Sequence, residues 1–359
     1  MPRFFPGGGR RDDRRVLPRE PPRRRREHPL SVCVSAPARI DLAGGTLDLW
    51  PLYLFHSPAI TVNLAIDRRA RVRVSRVASG FEVVSRDLGT EERFASAADA
   101  RGSAAALSAE AALALGMSDG IRIETESSVP FGSGLGGSSA LLVAAVSALG
   151  ALAGAELEAE RAIDLCRDVE TRVLGRPAGT QDYVPALRGG FHAIRYGPGS
   201  RSMRSVPADV GRFARSLVLF DSGRPHSSGL NNWEIYKARI DGDPEVTGLL
   251  AGIRDAADEM AAALDAGDPE AMGRALGREW SFRKRLSPRV STPLLEEAER
   301  RAAAAGAWGA KACGAGGGGV MIVLGPETAR ERIARALGEI PGGALFAASP
   351  DLQGARVEL

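Results

Sequence analysis

Apolar and polar side chains alternate from Ser31 to Ala36, which predicts a strand. Residues 37–48 follow, with Gly44 and Gly45 between Asp41 and Asp48; they read as a strand end, a tight turn and a loop. Three antiparallel strands are predicted over Ala59–Ile66, Ala70–Val77 and Phe81–Ser85, with turns at the polar breaks 66–69 and 78–80. Residues 103–115 form an alanine-rich helical pattern. Ile121, Ile123 and Thr125 then alternate in a strand that runs into a glycine-rich loop and an apolar helix ending near Ala153. A helix over Leu157–Leu174 is closed by Gly175 and Pro177. Residues 178–186 read as a loop, and Gly189-Gly190 as a turn into a strand.

A short strand at Arg215–Phe220 opens a second half, followed by a polar loop at 221–232. Helices are predicted over 233–240, 245–266, 268–286 and 292–305. A second glycine-rich loop, Lys311–Gly319, precedes the strand Val320–Leu324. A helix over Glu327–Leu337 and strands near 344–348 and 355–358 complete an α+β pattern. The expected division is 1–29 as an extension, 30–210 as a first domain and 211–359 as a second.

Composition changes little in this picture but excludes several classes. The 359 residues suffice for two domains, and no apolar run has the ~20 residues of a membrane span. The N-terminus lacks the apolar core of a secretory signal. Cys33, Cys166 and Cys313 are scattered and odd in number, which suits a reducing, cytoplasmic setting rather than a disulfide framework. Residues 1–30 hold ten arginines against Asp12, Asp13, Glu20 and Glu27. With Pro and Gly throughout and little to bury, that arm is expected to be disordered. No aromatic platform accompanies it, so neither a nucleic-acid nor a membrane partner is expected.

Candidate chemistry begins at Gly132, Ser133, Gly134, Leu135, Gly136, Gly137, Ser138 and Ser139. Strand, glycine-rich loop and helix start form a layout that cradles phosphate through backbone amides and the helix dipole. The serines can cap the helix or reach a metal on the phosphates. The same composition also suits a plain turn that starts a helix. Asp182 lies in a turn between Gln181 and Tyr183, Glu170 on the preceding helix, and Arg39 at a strand end. Together these supply the parts of phosphoryl transfer: amides, a metal carboxylate, a base and a fixed positive charge.

The chain resembles the GHMP kinases, the superfamily of galactokinase, homoserine kinase and mevalonate kinase. Pro37–Gly45, Pro130–Ala140 and Lys311–Gly319 resemble its three signature segments, in order, and the resemblance covers about residues 31–358. It implies a two-domain fold, an N-terminal ribosomal-protein-S5-like α/β domain and a C-terminal ferredoxin-like α+β domain. It implies ATP and Mg²⁺ as cofactors, with the triphosphate on residues 132–139. Asp182 matches the catalytic aspartate and Arg39 the arginine beside it. Ser138 matches the magnesium serine, with Ser139 as the alternative, and Glu170 the metal glutamate. Asp48 matches an aspartate that contacts sugar hydroxyls; Gly44, Gly45, Gly316 and Gly317 complete the expected acceptor site with Asp182.

Leu42-Ala43-Gly44-Gly45 and Gly179-Thr180-Gln181-Asp182 resemble D-glycero-D-manno-heptose 7-phosphate kinases and fucokinase domains. The expected reaction is phosphorylation of a sugar or sugar phosphate, with the anomeric hydroxyl a candidate target. Galactose-like or mevalonate-like acceptors, or a non-catalytic ligand sensor, are the alternatives, and a monomer or homodimer is expected. Gly44-Gly45-Thr46-Leu47-Asp48 departs from the heptose kinases' Gly-Gly-Gly-Thr-Asp, and Trp50-Pro51-Leu52-Tyr53 suits either sugar stacking or core packing. Lys311 reads as a phosphate contact or a solvated lysine, and His226 as an exposed loop histidine.

Overall fold

A computed structural model describes residues 30–155, 157–206, 209–225 and 228–358. The Arg-rich extension expected over 1–29, together with His226 and Ser227, lies outside the described residues.

The larger sheet contains β1 (Ser31–Ala43), β2 (Ala59–Arg76), β3 (Phe81–Ser85), β4 (Thr90–Phe94), β5 (Ile121–Ser127), β6 (Phe191–Gly197) and β7 (Ser200–Val206). A smaller antiparallel sheet is built from β8 (Leu217–Asp221), β9 (Gly309–Ala312), β10 (Val320–Leu324) and β11 (Ala344–Phe346), in the order β11-β8-β10-β9. The last strand, β12 (Arg356–Glu358), returns to the larger sheet and pairs with β1. The helices are α1 (Leu52–Phe55), α2 (Ala106–Ala114), α3 (Gly137–Leu152), α4 (Ala159–Leu174), α5 (Tyr183–Arg188), α6 (Val210–Ser216), α7 (Ser228–Ile240), α8 (Pro244–Ala266), α9 (Pro269–Leu286), α10 (Pro293–Ala304) and α11 (Arg330–Gly338). The α+β expectation holds.

Two strands are longer than the sequence pattern predicts. β1 continues through Pro37 to Ala43, so Arg39 and Asp41 lie on a strand and the turn begins at Gly44. β2 runs for 18 residues where a hairpin was expected. Its polar break is a bulge: pairing with β1 jumps from Pro37↔Arg69 to Ala38↔Ile66. Asp67 and Arg69 find their partners far along the chain. The Asp67 N–H donates to Ser349 O at 2.8 Å, and Arg69 donates to Ser35 and Asp351. A local reading takes Asp67-Arg68-Arg69 for a turn because their partners are not local. The edge strands β4 and β7 were not predicted, since their polar sequences alternate without an apolar stripe.

The β2 strand divides its partners. Ala59–Leu64 pairs with β6 and Ala70–Arg76 with β5, while β1 runs along nearly its full length. Helix α3 packs across β1 and β2, burying Leu142, Val143, Val146 and Leu149. On the other face, Ile40, Leu42, Val62 and Leu64 form one core with Met260 and Leu276 of α8 and α9, and with Leu219 and Ile322 of the second sheet. This shared core joins the halves beneath Arg39 and Asp41.

Candidate active site

Arg39 is almost fully buried, and its side chain forks onto Asp182: Nε donates to Oδ1 and Nη2 to Oδ2, each at 2.8 Å. Two parallel charge-assisted bonds fix both position and orientation. Asp182 keeps a 22% exposed side chain at the N-cap of α5, so one face of the carboxylate remains reachable. Residues 178–186 are therefore not all loop; a short helix starts immediately after Asp182. Burial alone would lower the Arg39 pKa, but Asp182, Cys313 and Asp41 outweigh it and hold the guanidinium above the ordinary arginine value.

The glycine-rich loop lies directly against this pair. Arg39 Nη1 donates to Gly134 O at 2.5 Å, and the Arg39 N–H to Leu135 O at 2.9 Å. Gly136 caps α3 with φ +74°. A Cβ there would stand 3.4 Å from both Arg39 Cζ and Asp182 Oδ2. Gly137 opens the helix, Ser138 is exposed on its first turn, and Ser139 is buried. The second glycine-rich loop seals the first from behind. The Val320 N–H donates to Ser133 O at 2.9 Å, and a Cβ on Gly319 would meet that oxygen at 2.4 Å. A cleft of about 220 Å³ opens alongside, between Phe131–Ser133 and Asp221–Arg224.

Asp48 is buried and accepts the Gln181 N–H at 3.1 Å, which brings the first loop to the residue preceding Asp182. Burial pushes its carboxyl up to about 6; the Gln181 N–H opposes this, and Asp182 adds to the rise. Glu170 accepts the Tyr183 hydroxyl, one residue beyond Asp182. Burial pushes Glu170 up to about 7, against the Tyr183 hydrogen bond and with help from Asp182 and Asp48. Burial is thus the main cause of both rises, and the neighbouring carboxylates add to each.

Among the described residues, no three His, Cys, Asp or Glu side chains form a metal site of their own. Magnesium bound through phosphates needs only one or two protein carboxylates. Buried carboxylates such as Glu170 and Asp48, held above their ordinary range, are an environment a divalent cation relieves, so the donor chemistry fits the ion.

The remaining predicted residues separate. Gly45 stands near Asp41 and Gln181: a Cβ there would lie 2.6 Å from Asp41 Oδ2 and 3.1 Å from Gln181 Nε2. Gly44 abuts Ile60 O. Gly316 and Gly317 face the turn at Arg289 and Val290, with the Gly317 N–H donating to Val290 O at 2.7 Å. Trp50 is 59% exposed, while Tyr53 stacks on Tyr196. Neither reading of Lys311 survives. The lysine is fully buried and donates to Asp41, because β9 runs beneath the first loop. Sequence reasoning missed Asp41, Arg283 and Glu279. Two-residue alternation along a longer β1 would have placed Asp41 on the same face as Arg39.

The GHMP kinases N terminal domain description matches residues 99–190, and the GHMP kinases C terminal description residues 260–341. The first includes the glycine-rich loop and Asp182 but begins after Arg39 and Asp48. A mevalonate kinase from Aeropyrum pernix is 30% identical over 319 residues, covering 84% of this chain and 92% of that protein. A D-glycero-alpha-D-manno-heptose 7-phosphate kinase from Campylobacter jejuni is 29% identical over 221 residues, 60% of this chain. The match spans 64% of the heptose kinase's own length. A crystal structure of a D-glycero-D-manno-heptose 1-phosphate kinase from Bacteroides thetaiotaomicron shares the fold with a TM-score of 0.73 at 22% identity, covering 91% of this chain and 99% of that one. Lactococcus lactis galactokinase complexed with galactose does so with a TM-score of 0.69 at 16% identity, covering 92% and 95%. The chain belongs to the GHMP kinases, and its fold is the two-domain α+β fold of that family.

Proposed function

We propose that this GHMP kinase transfers the γ-phosphoryl group of ATP to a hydroxyl of a sugar or sugar phosphate. The favoured acceptor is heptose 7-phosphate-like or fucose-like, with the anomeric hydroxyl as the target. ATP is the phosphate donor in this family. The observation that carries the reading is the Arg39–Asp182 fork held against the glycine-rich loop at Gly134, Leu135 and Gly136.

In this reading the amides of residues 132–139 receive the phosphates at the start of α3. Asp182, oriented by Arg39, accepts the proton of the acceptor hydroxyl as its oxygen attacks the γ-phosphorus and the bond to ADP breaks. Arg39 also offsets charge that develops on the transferred group. Positioning and electrostatics supply most of the rate in such a transfer. Magnesium, when bound, would neutralise charge on the phosphates, and Ser138 with Glu170 are the residues that would hold it. Asp48 accepts acceptor hydroxyls, and Gly45, beside Gln181, borders the acceptor, whereas Gly44, Gly316 and Gly317 pack on Ile60 and the Arg289–Val290 turn. Residues 30–210 form the ATP-binding and catalytic part and 211–359 the C-terminal part.

A second reading, a mevalonate-type acceptor, is favoured by mevalonate kinase relatives such as that of Pyrococcus horikoshii, 32% identical over 72% of its length. Against it, Asp48 sets a buried carboxylate near the partly exposed Asp182, suited to an acceptor with neighbouring hydroxyls. ADP release with Mg-ATP and a panel of heptose 7-phosphate, fucose, galactose and mevalonate separates the readings. Asp182→Asn is expected to lose several orders of magnitude in kcat while still binding ATP; a variant that turns over normally would defeat the assignment.

A further inference from the structure

Behind Arg39 lies a buried row of charges that the transfer itself does not touch. Arg39 and Asp41 are two residues apart on β1 and share a face. Lys311, on β9, donates to Asp41 Oδ2 at 3.0 Å and to Asp41 O at 2.9 Å, with both side chains shut off from solvent. Cys313 joins the two β1 residues: its Sγ accepts the Asp41 N–H at 3.3 Å and lies 3.7 Å from Arg39 Nη1. From the Asp182–Arg39 pair the row therefore runs on through Asp41 to Lys311, alternating in sign.

The groups facing Asp41 are Lys311 from β9, Arg283 from α9 and Arg39 from its own strand. Those facing Asp182 are Arg39, Asp48, Glu170 and Tyr183. Arg283 is committed elsewhere. It holds both oxygens of buried Glu279, the Gly45 carbonyl at 2.8 Å and Thr46 Oγ1 at 3.3 Å. Asp41 Oδ1 is buried without a partner, so the Lys311 ammonium is the cation hydrogen-bonded to this carboxylate.

We infer that Lys311 is a positioning residue of the kinase. By neutralising Asp41 from the second sheet, it leaves the Nε and Nη2 edge of Arg39 to Asp182. A buried carboxylate stripped of its cation is costly and pulls on whatever cation can still respond. Arg283 faces Asp41 more strongly than Arg39 does but is tied to Glu279, Gly45 and Thr46, so Arg39, two residues along the same strand with Nη1 at Cys313 Sγ, is the cation that responds. Shared between two carboxylates, it loses the two-point grip that orients Asp182. The inference rests on reading Arg39 and Asp182 as the catalytic pair.

The test uses the full chain, with an acceptor found in the panel above. Lys311→Met should lower kcat by roughly 10²-fold, the scale of a small misplacement of a reacting group, with the KM for ATP nearly unchanged. Adding Asp41→Asn removes the competing charge and should recover at least ~10-fold of that loss. A purely structural role predicts a double variant no more active than the single one. The inference is overturned if folded Lys311→Met keeps its kcat, or if the double variant is no better. Should Lys311→Met fail to fold, the double variant alone decides. A folded double variant within ~10-fold of the parent supports the inference, and one ~10²-fold down overturns it. Asp182→Asn is assayed in parallel: if it stays active the catalytic pair itself is misread, whereas an inactive Asp182→Asn beside an active Lys311→Met sinks this inference alone.

Discussion

Gly179→Ala isolates the acceptor side of the site with one methyl group. Gly179 sits three residues before Asp182, and a Cβ built on it would lie 1.9 Å from Asp48 Oδ2 and 2.6 Å from Asp48 Cγ. Ordinary contact begins at 3.4 Å, so the Asp48 carboxylate must retreat by about 1.5 Å. Asp48 is packed on all sides and is 5% exposed, leaving it little room to move without giving up the Gln181 N–H. A displacement near 1 Å at a reacting or orienting group costs on the order of 10²-fold in rate. If Asp48 orients the acceptor, most of that loss should appear in kcat/KM for the acceptor. The KM for ATP should stay within about twofold, because the phosphate cradle at 132–139 is untouched. The assay is steady-state ADP release with each substrate varied in turn, together with a thermal melt to confirm folding. Unchanged acceptor kinetics in a folded Gly179→Ala protein would refute the role given to Asp48. An equal loss toward ATP would show that the methyl disturbs Asp182 instead.

Asp48→Asn tests the same carboxylate through pH. Its folded pKa, about 6, lies above the ordinary aspartate value of 3.8, so its contribution to stability is complete below about pH 4 and is lost as pH rises through 6. The asparagine variant should therefore gain stability relative to the parent at pH 8, by up to ~3 kcal/mol, and show no such gain at pH 4; denaturant melts at the two values check this. Arg39→Met leaves Asp182 beside Asp48 and Glu170 without its cation. It should cost about 3–5 kcal/mol of stability and most of kcat; a melt showing a loss below 1 kcal/mol counts against the fork as a buried pair. Gly136→Ala forces a left-handed residue at the N-cap of α3 and sets a methyl in contact with both members of that fork. It should cost ~1–2 kcal/mol and lower kcat with ATP binding retained, read by melts and nucleotide titration.

The sequence alone determined the parts that are local. The glycine spacing at 132–139, the apolar helix after it and the Gly189-Gly190 turn each depend on neighbours in the chain, so the α+β order, most helices and the three signature loops could be read directly. Arg39 and Asp182 were legible as candidates because residue type and position within those segments are sequence properties. Their contact was not, since 143 residues separate them and the packing of α5, which Asp182 caps, against β1 closes the distance. The polar break in β2 shows the same limit: Asp67 and Arg69 look like a turn until Ser349 and Asp351 arrive to bind them. Lys311 is the clearest case. By itself a lysine beside a glycine-rich loop belongs to water or phosphate, because burying an ammonium is costly. Tertiary structure alone brought β9 under the first loop and set Asp41 against it, which is what makes that burial tolerable.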